Sequence, residues 1–270
     1  MKNILVHIRD DNGQADRLAV GIALARSLDA HLSCVQVTPY TAFVIADPLG
    51  GMFVSPSVLD ALRTREEAEQ ARIEEEIERA GVPWSWYRFD GDAARAVISR
   101  ARLADLVIVS LPGEASDDRA APLPIVADIA IHGGTPVLAL PNEAGRFASG
   151  GPAMIAWNGA IEAAHSLRAA IPMLRRASSV HIVTVTDDPI ELPAAEANHY
   201  LSRYDIVAQL HEWPHKGGDV AAALASAALA LEARYMVMGA YGHSRLRESI
   251  LGSVTGSLVA HSPIPLLLAR

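Results

Sequence analysis

The chain repeats itself. Leu106–Ser110 (Leu-Val-Ile-Val-Ser) can be laid over Tyr235–Gly239 (Tyr-Met-Val-Met-Gly), and Thr135–Leu140 over Ile264–Ala269, with no gap between. Both pairs are 129 positions apart (110 to 239, 135 to 264). Gly91-Asp92 likewise answers to Gly218-Asp219, and Val35–Thr38 to Val183–Thr186. At roughly 150 residues per domain, 270 residues allow one large domain or two small ones. The internal match favours duplication, because two sheets of about five strands need two cores.

Within each copy, short apolar runs alternate with Ala-rich segments of helical period. In the first, strands are expected at Ile4–Ile8, Leu32–Val37, Trp84–Phe89, Leu106–Val109 and Pro136–Leu140. Helices are expected at Ala15–Leu28, Ser57–Ala80 (stopping at Gly81), Ala93–Arg102 and Ile125–Ile131. After a Gly-rich hinge at Asn142–Pro152 the order begins again. Strands are expected at Met154–Trp157, Val180–Val185, Ile206–Glu212, Tyr235–Met238 and Pro265–Ala269. The matching helices are Ala160–Leu174, a Pro-interrupted stretch within Glu191–Arg203, Val220–Leu231 and Ser253–His261. Strands alternating with helices predict βαβ units. The expected fold is α/β, with two tandem five-stranded, mainly parallel sheets flanked by helices; the domains are residues 1–143 and 152–270.

Composition removes several classes of function. A net charge of −8 lacks the basic footprint of a nucleic-acid binder. No apolar run approaches the ~18 residues of a membrane span, and the N-terminus reads as a strand rather than a signal peptide. The one cysteine, Cys34, excludes a disulfide scaffold and fits a reducing cytosol, so a cytoplasmic protein is expected.

Chemistry is concentrated in residues 238–255, Met-Gly-Ala-Tyr-Gly-His-Ser-Arg-Leu-Arg-Glu-Ser-Ile-Leu-Gly-Ser-Val-Thr. Gly239, Gly242 and Gly252-Ser253 follow a buried strand and run into a helix. Glycine at a strand's carboxyl end lets backbone approach a ligand. The amides and dipole of the helix start favour an anion, and Ser253 can cap the helix or turn its hydroxyl to a phosphate oxygen. Parallel sheets bind ligands at this end of their strands.

With this spacing, Gly-x2-Gly-x9-Gly-Ser, the sequence resembles the universal stress protein family in its tandem two-domain form. The resemblance implies an adenine-nucleotide α-hydrolase-like, Rossmann-like arrangement binding ATP or AMP, with or without Mg2+. On that basis Met238, Gly239, Gly242, Gly252, Ser253 and Val254 hold phosphates. Val183 and Val185, around Thr184, face the adenine, and Ala156, Trp157 and Asn158 line the ribose side. Asn158 departs from the family's usual Asp, and Trp157 reads equally well as a core aromatic. The resemblance further implies that Val137–Leu140 and Pro265–Leu268 join the halves into a pseudo-dimer. It leaves a homodimer and an unknown protein partner open. The function implied is regulation by nucleotide occupancy, with an interaction scaffold or a slow ATPase as alternatives.

The first copy loses the pattern. Ser110 stands for Gly239, Leu123 for Gly252 and Pro124 for Ser253; only Gly113 matches, to Gly242. Pro124 has no amide to donate, and Asp117-Asp118 repel phosphate. Arg9 replaces the first-strand acid and is expected to be solvated or to fill part of the pocket. This copy is therefore expected to hold no ATP, whereas replacing Gly239 and Gly252 by Val is expected to abolish binding without unfolding the chain. His243, Ser244 and Arg245 read as a solvated loop face, Cys34 as core, and His7, Asp10 and Asp11 as no metal site. The charged helix from Ser57 reads as a solvated face laced with i,i+4 pairs. The long apolar loop before it, Pro39–Pro56, with Phe43, Gly50-Gly51 and Phe53, reads as a lid, a ligand surface or an interface. No P-loop, GxGxxG, CxxC, HExxH or GxSxG motif occurs.

Overall fold

The computed structural model describes residues 1–38, 45–46, 52–53, 56–112, 124–141, 147–185, 190–214, 219–242 and 254–270. The first repeat contains β1 (Asn3–Ile8), α1 (Gln14–Leu28), β2 (His31–Thr38), the two-residue strands β3 (Ile45–Ala46) and β4 (Met52–Phe53), and α2 (Pro56–Ala80). It continues with β5 (Trp84–Asp90), α3 (Ala93–Ala101), β6 (Leu106–Ser110), α4 (Val126–His132) and β7 (Val137–Leu140). The second contains β8 (Ala153–Ala156), α5 (Ile161–Leu174), β9 (Val180–Thr184), α6 (Ala194–Ser202), β10 (Ala208–Glu212), α7 (Val220–Ala230), β11 (Tyr235–Gly239), α8 (Val254–His261) and β12 (Leu266–Ala269). The duplication extends to capping. Asp92 accepts the Arg95 amide at 2.7 Å to start α3, and Asp219 accepts the Ala222 amide at 3.0 Å to start α7.

The two expected sheets are fused into one of ten strands, ordered β10-β9-β8-β11-β12-β7-β6-β1-β2-β5. Each half has the same order from the centre outward, and every pairing inside a half is parallel. Among the described residues of this sheet the seam alone is antiparallel: Leu266, Leu267 and Leu268 of β12 face Ala139, Leu138 and Val137 of β7. All six are fully buried. The expected joining of the halves through their final strands is therefore present.

Cores divide by face of the sheet rather than by repeat. One layer packs α1, α2, α5 and α6 through residues such as Leu18, Ile73, Leu167 and Leu201; the other packs α3, α4, α7 and α8 through Val97, Ile129, Leu224 and Leu258. Both layers contain residues of both repeats, because a continuous sheet offers each face an unbroken apolar floor. Helix α2 buries Ile73 and Ile77 and pairs its outer charges, Glu69 with Arg72 (2.6 Å) and Glu75 with Arg79 (3.1 Å). Cys34 lies in the core, and burial pushes its thiol up to about 12, which leaves it protonated and inert.

Candidate functional site

In each half the chain runs outward from its first strand to the second and third, then returns to the other side. The order reverses between β8 and β11 in one half and between β1 and β6 in the other. The carboxyl ends of such strand pairs form the crevice where open α/β sheets take ligands.

At the second crevice, Ala156 lies beside Val183 in the ladder, and Val237 beside Ile155, so β8, β9 and β11 end together. Ala156, Val183, Val185 and Met238 all pack on the same side of the sheet, that of α7 and α8. Val183, Val185 and Met238 are buried; Ala156, Thr184, Gly239, Gly242 and Val254 are half-buried. Gly252 and Ser253 lie outside the described residues, as do His243, Ser244 and Arg245. Trp157 departs from its neighbours. Its side chain crosses to the opposite layer, is 3% exposed, and donates its indole N–H to the Leu192 carbonyl at 2.8 Å. Only its backbone belongs to the crevice. Asn158 is exposed, and its Oδ1 accepts the Ala160 amide at 3.1 Å, capping the approach to α5.

Gly239 has a tighter reason to be glycine than ligand access. A Cβ there would sit 2.7 Å from the Ala163 nitrogen and 2.8 Å from the Glu162 carbonyl carbon. The first turn of α5 thus rests directly on the end of β11. Glu162, buried in that turn, holds its carboxylate 3.3 Å from where a Gly242 Cβ would be. One turn on, the Ser166 hydroxyl donates to the Met238 carbonyl (2.8 Å) and accepts the Ala269 amide (3.2 Å), tying together the ends of β11 and β12.

The first crevice solves the same problem with different residues. Ile4 sits beside Leu106 as Ala153 sits beside Tyr235, so first-strand positions correspond 149 apart (4 to 153). Carried into the helices, this places Gly13 opposite Glu162 and Arg17 opposite Ser166. Arg17 is 1% exposed and spends every donor group inward. Its Nη1 donates to Asp11 Oδ1 (2.8 Å) and Ser110 Oγ (2.7 Å), its Nε to the His7 carbonyl (2.8 Å) and its Nη2 to the Arg9 carbonyl (3.0 Å). The Asp11 carboxylate is buried equally deeply. Burial pulls the Arg17 guanidinium below the usual arginine range while Asp11 opposes the shift. Volume is exchanged across the gap: a Gly13 Cβ would overlap the Ser110 hydroxyl, whereas the second repeat has Glu162 facing Gly239 and Gly242.

His7, in the place of Ala156, is fully enclosed. Burial, then Arg17 and Arg9, push its imidazole down to about 3, so it is neutral at physiological pH. Among the described residues its Nε2 has no hydrogen-bond partner. Arg9, expected to be solvated or to fill part of the pocket, is half-buried with Nη1 3.7 Å from Asp11 Oδ2, and the arginine enclosed in this crevice is Arg17. Leu123 and Gly113 lie outside the described residues. Sequence reasoning missed Arg17 and Glu162, because each sits in a helix without a motif around it.

Among the described residues, no group of three or more His, Cys, Asp or Glu side chains is placed to hold a metal, and no helix is long and apolar enough to cross a membrane.

Comparison with known proteins places this architecture. The family model "Universal stress protein family" matches residues 153–270. No curated protein matches the sequence. Among solved structures, a universal stress protein from Archaeoglobus fulgidus covers 100% of this chain and 99% of its own, at 15% identity and a TM-score of 0.78. One described as a putative universal stress protein, from Pseudomonas aeruginosa, covers 100% and 93% at 18% identity and a TM-score of 0.67. A universal stress protein in complex with cAMP covers 46% of this chain, with 17% identity and a TM-score of 0.37. The whole chain therefore has the fold of those full-length structures, and its second repeat, residues 153–270, matches the universal stress protein family model.

Proposed function

We propose that the second repeat binds one adenine nucleotide, ATP or AMP, and that occupancy of this crevice is the protein's regulatory signal. The observation that carries this reading is the difference between two equivalent crevices at their matching positions. In the first, a buried Arg17–Asp11 pair and the Ser110 hydroxyl occupy the gap between β1 and β6. In the second, the corresponding positions are the small residues Ser166 and Gly239. The half-buried residues there are Ala156, Thr184, Gly242 and Val254, and Val254, which opens α8, follows Gly252-Ser253 in the sequence. Backbone amides at a helix start and a glycine loop suit phosphate oxygens.

Glu162 sharpens the reading. A carboxylate beside Gly242 repels a polyanion unless a cation lies between them. It also supplies an anionic oxygen of the kind that holds Mg2+, a charge that the neutral Asn158 lacks. Binding of ATP through the glycine loop is thus expected to depend on Mg2+. Occupancy acts by favouring one conformation or assembly over another.

Calorimetric titration of the full chain with ATP, ADP, AMP and cAMP, with and without Mg2+, tests the proposal. One site per chain is expected, lost in Gly252→Val and untouched by Leu123→Val. Two sites, no site, or a site indifferent to Gly252 would overturn it.

A further inference from the structure

On the other face of the sheet from Ala156, Val183 and Met238, a cleft of about 240 Å3 opens between α5 and α6. Its floor is apolar and aromatic, made by Trp157, Leu167 and Leu192. The Trp157 N–H is already spent on the Leu192 carbonyl, so the floor presents ring and methyl surface rather than an unmet donor. At the mouth stand Arg168 of α5 and Arg203 just beyond α6, with Tyr200 near both. The Tyr200 phenol pairs with that of Tyr204 at 3.2 Å; this bond raises its pKa, the two guanidiniums act against the rise, and the hydroxyl remains protonated.

Among the described residues, neither Arg168 nor Arg203 makes an ion pair. Glu196 is the one carboxylate of the lining against these two cations, so the wall is net positive on a chain of charge −8. Guanidiniums with donors to spare bind carboxylates in a planar fork, and an apolar floor takes the body attached to one. The volume lies just under the ~300 Å3 at which ligand pockets begin to hold drug-sized molecules, so the body is small.

We propose that this cleft binds a small amphipathic organic anion, a carboxylate on a flat apolar body, at a site separate from the nucleotide crevice. Arg168 and Arg203 hold the carboxylate, Tyr200 donates to it, and the body lies on Trp157 and Leu192.

Titration of the full chain with naphthoate, read by calorimetry, tests this. Saturable binding at one site per chain is expected. It should weaken at least about tenfold in Arg168→Gln/Arg203→Gln and for the neutral analogue naphthalenemethanol, since a charge-assisted pair is lost in each case. Both arginines are exposed, so the double variant should melt with the wild type. ATP should not displace naphthoate, and Gly252→Val should bind it unchanged, which separates this site from the nucleotide reading. No saturation at millimolar naphthoate, equal affinity for the alcohol or the double variant, or displacement by ATP would overturn the proposal.

Discussion

The two crevices share strand order, register and helix placement, yet one is closed by a salt bridge and the other by backbone contact. Where β6 ends in Ser110, the helix opposite begins after Gly13 and sends Arg17 into the gap. Where β11 ends in Gly239, the helix opposite carries Glu162 and leaves only the Ser166 hydroxyl below it. In both repeats the strand-end carbonyls keep donors, but from different groups. In the first repeat those donors are guanidinium nitrogens; in the second, one hydroxyl serves two strands.

The comparison breaks most visibly at Arg17. Arg17→Ala strands the Asp11 carboxylate in the interior and should cost about 3–5 kcal/mol. Ser166→Ala, at the matching position, should cost about 1–3 kcal/mol. Urea denaturation of both variants measures the ratio; equal losses would mean that the two crevices are held alike. Next in size is nucleotide binding, where Gly252→Val should weaken ATP about 100-fold, close to 2.7 kcal/mol, in the calorimetric series above. Gly239→Val cannot report on binding alone. Its side chain would be driven into the α5 backbone, so overpacking should cost at least about 1–3 kcal/mol, visible as a lowered melting temperature. The expectation that a Gly239 variant stays intact is revised accordingly.

The effect that is smallest at neutral pH, and grows with acid, is that of His7. His7 has its folded pKa depressed to about 3 from 6.5, so the unfolded chain takes up a proton that the folded chain refuses. Its contribution is fully present above pH 6.5 and is lost as pH falls toward 3, at about 1.4 kcal/mol per pH unit. His7→Ala, which copies the second repeat's Ala156, should flatten that slope of stability against pH. An unchanged slope would show that His7 is not buried neutral.

Most of the fold was legible because its signals are local. Parallel strands buried on both faces read as continuous apolar runs, and Leu106–Val109 was expected where Leu106–Ser110 is found. Asp92 and Asp219, read in the sequence only as matching positions of the repeats, prove to cap their helices. The short β3–β4 ladder within Pro39–Pro56 was not legible, since two residues carry no period. Nor was the fate of Trp157: one step along an extended chain reverses the face, and only the end of β8 at Ala156 decides which side the ring takes. Arg17 and Glu162 looked like ordinary polar helix residues. What distinguishes them is tertiary, the gap each faces across the sheet, and that becomes readable only when the repeats are compared through their strand register.

The antiparallel seam between β7 and β12 has a further consequence. It turns the strand directions of the halves against each other, so the Arg17 crevice and the Gly239 crevice lie at opposite rims of the sheet, and a change at one is not sensed by direct contact at the other. Cutting the chain between residues 143 and 152 would leave Leu266–Ala269 as a bare apolar border. An isolated carboxy-terminal fragment should therefore be seen in solution only as a self-associated species, its border zipped to that of a second fragment.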